Sequence, residues 1–150
     1  MIEIKQQPAE KIKDIEQDFD LIYMDPPFGL QRDFTMVEKD GEKKGFSDKW
    51  DSFDDYIIWY ANIVHSAWYK LKKNGWMYLH NNFIGNALLL SKVIPEIRDS
   101  FYTNISWKRS GPKNNIKNGW GNIVDSIMVI KKGNPYFEAV SYTHLTLPTT

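Results

Sequence analysis

Residues 20–34 read DLIYMDPPFGLQRDF, and the fold turns on how this stretch is read. An apolar run over residues 19–24 stops at Asp25, and two prolines follow at once. A short continuous apolar run bounded by turn residues predicts a strand of a parallel sheet, buried on both faces. The prolines end it, because neither can donate an N–H to a ladder. In open α/β sheets, ligands bind beyond the carboxyl ends of the strands, so position alone makes Asp25 a site candidate. Pro26 and Pro27 hold the chain in a rigid corner and leave carbonyl oxygens as its free polar groups. A carboxylate beside carbonyls offers only acceptors, and its natural partner carries two N–H donors, as an exocyclic amine does. Phe28 adds a flat apolar face on which a planar ring can stack.

The rest of the chain suits one domain around such a corner. It has 150 residues, 42% of them hydrophobic, which predicts a single globular core. Nineteen basic residues balance nineteen acidic ones, so binding to nucleic acid must come from a local patch and not from a global field. No cysteine is present, which excludes a disulfide scaffold or thiolate metal site and fits a cytoplasmic location. No apolar run reaches the roughly 18 residues of a membrane span, and His65, His80 and His144 lack metal-ligand spacing. Aromatic residues make up 15% of the chain, and most are assigned to core packing.

Residues 8–16 predict a short helix that begins at Pro8 and carries Ile12 and Ile15 on one side. Residues 29–50 are polar, glycine-containing and without a sustained period, so they predict a long structureless loop, functional or disordered. Ser52 with Asp55 forms a capping pattern, and Tyr56, Tyr60, Ile63, Ala67 and Leu71 keep helical spacing up to Gly75. Residues 76–80 then predict a second strand, parallel to the first through this crossover helix. A second helix spans residues 82–94 and is ended or kinked by Pro95, and strands follow at 104–108 and 125–132. Between them, residues 109–122 form a Gly/Asn/Lys loop. Residues 141–150 carry no charge and are set apart as a tail that is non-native or frayed.

The segment "DPPF" after "LIYM" resembles the Asp-Pro-Pro-Tyr/Phe motif of the amino-group DNA methyltransferases, which act on N6 of adenine or N4 of cytosine. "FSDKW", "LKKNGWMYLH", "ISWKR" and "GNIVDSIMVIKK" follow in the order seen in the β-type enzymes of that group, including those of type III restriction systems. The similarity covers roughly residues 14–134. It implies a partial Rossmann-like methyltransferase α/β sheet, mostly parallel strands with flanking helices, with residues 1–140 as its catalytic half. It implies S-adenosylmethionine as cofactor, double-stranded DNA as partner, a possible restriction subunit as a second partner, and a base flipped out of the duplex as substrate. Such an enzyme alkylates the amine directly, so the absence of cysteine is no obstacle. Asp at the first motif position resembles the adenine enzymes more than the N4-cytosine ones. The family's glycine-rich cofactor motif, Phe-x-Gly-x-Gly, does not occur in this sequence, so the Asp25 corner is expected to supply only part of a cofactor site.

The resemblance gives Asp25, Pro26, Pro27 and Phe28 the catalytic role. His80 and Asn81 close the second strand beside them and are candidates for base contact, with capping of the next helix as the alternative. Lys108, Arg109, Lys113 and Lys117 form the one local basic patch and are candidates for phosphate contact, with a solvated hairpin loop as the alternative. Asp125 matches an acidic position of the family's last catalytic-half motif. Asp48, Asp51, Asp54 and Asp55 precede a helix and are assigned to its dipole. Rival readings are a catalytically silent nucleic-acid-binding module and a methyltransferase acting on RNA or a protein amide.

Overall fold

The structure is a computed structural model that describes residues 4–37, 41, 43–111, 118–119 and 123–138. Four strands form one sheet in the order β1-β4-β6-β5: β1 is Phe19–Met24, β4 Leu71–Asn81, β5 Phe101–Lys108 and β6 Val124–Lys132. β1 and β4 pair in parallel, with Tyr23 opposite Tyr78 and Met24 opposite Leu79. β6 lies antiparallel to both β4 and β5, so β1, β4 and β5 share one direction and β6 alone is reversed. The expectation of mostly parallel strands therefore holds for strand direction. It fails for the ladders, because the reversed strand sits inside the sheet and makes two of the three antiparallel.

Helix α1, Phe53–Lys70, is the crossover between the two parallel strands. Ser52 caps it as the sequence predicts: its Oγ accepts from the Asp55 N–H at 3.1 Å and donates to the Asp55 carboxylate at 2.6 Å. Asp54 and Asp55 occupy the first turn, where the dipole favours them. At the other end Lys132 Nζ donates to the carbonyls of Trp68 and Leu71, at 2.7 and 2.8 Å, and so supplies the last turn with a cation. The buried face carries Tyr56, Ile57, Tyr60, Ala61, Val64, Ala67 and Trp68, which pack with Met77, Leu79, Met128 and Ile130 of the sheet and Leu89 of α2, Phe83–Lys92. Each large side chain buried there contributes about 1.5–3 kcal/mol.

Along β4, Met77, Leu79 and Asn81 are buried, while Trp76, Tyr78 and His80 alternate with them and are partly exposed. β1 is an edge strand among the described residues, and Leu21 and Tyr23 are 55% and 53% exposed. The expected burial of β1 on both faces is therefore corrected: Ile22 alone of its residues is buried, because it meets the core under α1.

Three further expectations change. Residues 29–50 are not structureless: Arg32–Val37 (β2) and Lys43–Asp48 (β3) form an antiparallel hairpin with Phe34 opposite Phe46. The charged and glycine-rich composition concealed it, since a two-stranded ribbon has no buried face to write an alternation into the sequence. The second strand begins at Leu71 and not Trp76, because Leu71 leaves the helix to pair with Phe19. Ala9–Asp14 is a 3-10 helix capped at Pro8, and Pro95 both follows the end of α2 and starts a short helix α3, Pro95–Asp99.

Candidate active site

The chain leaves β1 at Asp25, whose side chain is 55% exposed at the carboxyl end of the strand. The next five residues are held from behind by groups from three other elements. Tyr56 of α1 donates its hydroxyl to the Pro27 carbonyl at 2.7 Å, and Asn82, the N-cap of α2, donates its amide to the Phe28 carbonyl at 3.0 Å. Asp48, at the end of β3 and 0% exposed, accepts from the Gly29 N–H at 2.9 Å, the Leu30 N–H at 2.8 Å and the Trp50 indole at 3.0 Å. Asn81 in turn donates to the Tyr56 hydroxyl at 2.5 Å. Burial is the largest influence on the Tyr56 phenol and holds it well above the ordinary tyrosine range, so the ring stays a neutral donor.

Gly29 is the one residue that fits its place. Its φ is +68°, and a Cβ there would lie 2.7 Å from Tyr56 Cδ1 and 2.9 Å from Phe53 Cε2. The glycine lets the aromatic end of α1 press directly against the corner.

In front of this scaffold lies a cavity of about 690 Å³, lined by the motif residues Asp25, Pro26, Pro27 and Phe28 together with the hairpin's Arg32, Phe34 and Phe46, and by Arg109. Its size lies within the range of small-molecule sites. Phe34 and Phe46 stack with centroids 5.0 Å apart, and the Arg32 guanidinium sits 4.6 Å from the Phe34 ring centre. The hairpin thus brings apolar rings and a cation to a cleft whose other wall is a carboxylate corner.

His80 sits beside this corner, its side chain 15% exposed. Nδ1 is 2.7 Å from the Tyr23 hydroxyl and 3.6 Å from Asp25 Oδ1, and Nε2 is 3.6 Å from Asp125 Oδ2. Its ring lies 5.7 Å from that of Phe28. Arg109 Nε approaches the same Asp125 oxygen at 3.5 Å.

The structure thus gathers Asp25, Pro26, Pro27, Phe28, His80, Arg109 and Asp125 in one region. Asn81 it does not bring to the cleft: the residue is fully buried, with its amide on Tyr56 and its Oδ1 accepting from the Asn82 N–H at 2.8 Å. Lys108 is exposed at the end of β5 and does not line the cavity. Lys113 and Lys117 lie outside the described residues, as does the tail 141–150. The dipole assignment of Asp48 is corrected, since its carboxylate fastens the loop after the motif and not the helix that follows. Sequence reasoning also passed over Tyr56 and Asn82; their only signal was a hydroxyl and an amide at positions that helix spacing and capping already explained.

Comparisons with known proteins bear on this arrangement. A family model described as DNA methylase matches residues 19–149. The type II methyltransferase M.HinfI of Haemophilus influenzae is 24% identical over 110 residues, which takes in 69% of this chain and 30% of the relative. A crystal structure of an M1.HpyAVI-SAM complex matches with a TM-score of 0.54 at 17% identity, covering 98% of this chain and 62% of that one. The structural likeness shows a shared fold. The chain spans 30% of the length of the curated relative and 62% of the structural one.

Proposed function

This chain belongs to the DNA methylase family, and from that premise we propose that its Asp25 corner transfers a methyl group from S-adenosylmethionine to the exocyclic amine of a base flipped out of duplex DNA. The observation that carries the reading is the exposed Asp25 carboxylate beside Phe28, at the carboxyl end of a parallel strand and in a cleft whose backbone is fastened from behind. An amine conjugated with a ring is a poor nucleophile. Acceptors at the Asp25 carboxylate and the Pro26 carbonyl orient it, localise its lone pair and stabilise the positive charge that grows on nitrogen. Extruding the base costs a few kcal/mol, and stacking on Phe28 returns about 1–3 kcal/mol. Arg32 and Arg109 on the cavity wall suit the phosphates that flank such a nucleotide.

Adenine N6 is the preferred acceptor in this reading, because Asp at the first motif position resembles the adenine enzymes. A role in restriction-modification and a restriction subunit as partner follow from the same resemblance, as does a cytoplasmic location. No described helix is long and apolar enough to cross a membrane. Methylation assays of the holoenzyme with duplex DNA, RNA and protein acceptors test the proposal. N6-methyladenine in duplex DNA supports it; no product from any acceptor would leave a silent binding module, and product only in RNA or protein would move the activity there.

The residues present fit the reacting end of the cofactor: the Asp25 carboxylate and the carbonyls of its corner would offer acceptors to a sulfonium in the cleft they line. S-adenosylmethionine supplies the electrophilic methyl group when bound. The sequence offers no Phe-x-Gly-x-Gly turn over which a backbone can approach the rest of the molecule. In this reading residues 1–140 form the catalytic half of the methyltransferase domain. The isolated chain should accordingly bind the cofactor more weakly than about 10 μM, or about 7 kcal/mol. Calorimetric titration decides, and low-micromolar binding would show that the site is already complete.

Phe28 should act as the stacking platform. Phe28→Ala should weaken retention of the extruded base, read as lower fluorescence from 2-aminopurine at the target position, whereas Phe28→Tyr keeps the ring and the signal. Equal signals from the two variants would assign Phe28 to packing against His80 instead.

A further inference from the structure

We propose that His80 is a positioning residue that takes up, through Asp25, the proton the target amine must shed, with Asp125 fixing the tautomer of its ring. The inference rests on the methyl-transfer reading above. When the nitrogen lone pair forms the new N–C bond and the C–S bond breaks towards sulfur, the nitrogen is left cationic. One N–H bond must then break, its electrons returning to nitrogen and its proton leaving.

The proton's first stop is the group that orients the amine, the Asp25 carboxylate. Asp25 and Phe28 line the same cleft, so a base stacked on Phe28 would shield Asp25 from solvent, and a second acceptor within the protein would then carry the proton on. His80 Nδ1 lies 3.6 Å from Asp25 Oδ1, and imidazole is a stronger base than a carboxylate.

The surroundings of the ring suit that task from every side. Tyr23 of β1 places its hydroxyl 2.7 Å from Nδ1. With the ring proton on Nε2, Nδ1 carries a single lone pair: the Tyr23 hydroxyl donates to it at rest and rotates its proton away when Asp25 delivers one. Nε2 is buried without a hydrogen-bond partner and faces Asp125 Oδ2 of β6 at 3.6 Å. A carboxylate behind an imidazole is the arrangement that selects one tautomer and stabilises the imidazolium once it forms. Arg109 Nε, 3.5 Å from the same Asp125 oxygen, holds that carboxylate in place. Phe28 adds no charge. The line Asp25, His80, Asp125 therefore runs from the exposed cleft into the protein, with one carboxylate at each ring nitrogen. The proton leaves afterwards through the Tyr23 hydroxyl, on a side chain that is 53% exposed.

Two measurements test this. The first is ring ¹⁵N spectroscopy of the protein, in which His80 is identified among three histidines by substitution of His65 and His144 with Gln. The neutral His80 ring should carry its proton on Nε2, and Asp125→Asn should mix the tautomers. A ring protonated on Nδ1, or one indifferent to Asp125→Asn, would overturn the proposal even if no variant at position 80 folds. The second is single-turnover methylation by the holoenzyme. His80→Ala should lower the rate roughly 10- to 100-fold with KM unchanged, and added imidazole should restore it in proportion to its free-base fraction. A near-normal rate in His80→Ala beside an inactive Asp25→Ala would sink this inference alone. Normal transfer by Asp25→Ala would sink the methyl-transfer reading beneath it.

Discussion

Replacing Asp25 with alanine should lower the single-turnover rate of methyl transfer by at least about 10²-fold while DNA affinity stays close to that of the parent. In the proposed reaction the carboxylate acts on the amine as charge develops, so its loss should raise the barrier more than it weakens the ground-state complex. The fold should not suffer. Asp25 is 55% exposed, and the corner around it is fastened through Pro27, Phe28, Gly29 and Leu30 and not through Asp25 itself. Thermal unfolding of the variant should therefore match the parent within a degree or two, and filter binding should give the same DNA affinity. Asp25→Asn separates charge from shape: one amide oxygen still accepts, but no negative charge remains, so the rate should lie between the two. A single-turnover rate within a few-fold of the parent in both variants would remove Asp25 from the chemistry.

That prediction could be framed from the sequence because an apolar run that stops at an acid and two prolines is a local signal. The strand Phe19–Met24 and the Ser52 cap were legible for the same reason, each resting on residues adjacent in the chain, and the parallel β1–β4 pair followed from the strand–helix–strand order. What was not legible depends on contacts between distant residues. The reversal of β6 between β4 and β5 leaves no mark on either strand's composition. The hairpin's Phe34 and Phe46 reveal themselves as a stacked pair only once the register brings them opposite one another. His80 appeared as a strand-end residue with a capping alternative; its place between two carboxylates requires β1 and β6 to flank β4.

The site's support was the least legible part. Four acidic residues between positions 48 and 55 share a composition and not a role. Asp54 and Asp55 lie in the first turn of α1, whereas Asp48 closes the hairpin opposite Arg32. Tyr56 and Tyr60 fit a helix stripe and do pack in the core, yet their hydroxyls carry the polar contacts of the region. Tyr60 donates to Asn86 Oδ1 at 3.2 Å, and the Asn86 amide donates to the Leu79 carbonyl at 3.0 Å and to Ser126 Oγ at 3.0 Å. Burial dominates the Tyr60 phenol and pushes it far above the ordinary range, as it does for Tyr56. Hydrophobic periodicity cannot separate a tyrosine that only fills space from one that also holds a loop.

Asp48 shows how large that hidden contribution should be. Its carboxylate is 0% exposed and accepts from two backbone amides and one indole, so truncation leaves three donors facing an acceptor that is gone. An unsatisfied buried donor costs about 1–3 kcal/mol, and partial access of water to the Leu30 and Trp50 sites reduces the sum. Asp48→Ala should therefore destabilise the protein by about 3–5 kcal/mol, or roughly 10 °C in Tm for a chain of this size. Asp48→Asn keeps one oxygen but turns an NH₂ towards an N–H, so it should recover at most half of the loss. The functional consequence follows from the backbone: Gly29 and Leu30 are the hinge by which the motif joins the hairpin, and Phe34 and Phe46 line the cleft only while that hinge holds. Below its lowered Tm, Asp48→Ala should keep its helical circular dichroism yet transfer methyl groups far more slowly, despite an intact Asp25. Differential scanning calorimetry and single-turnover kinetics on the same sample check both halves. A Tm within about 2 °C of the parent would show that solvent replaces the carboxylate at little cost, and the corner would then owe its rigidity to Tyr56 and Asn82 alone.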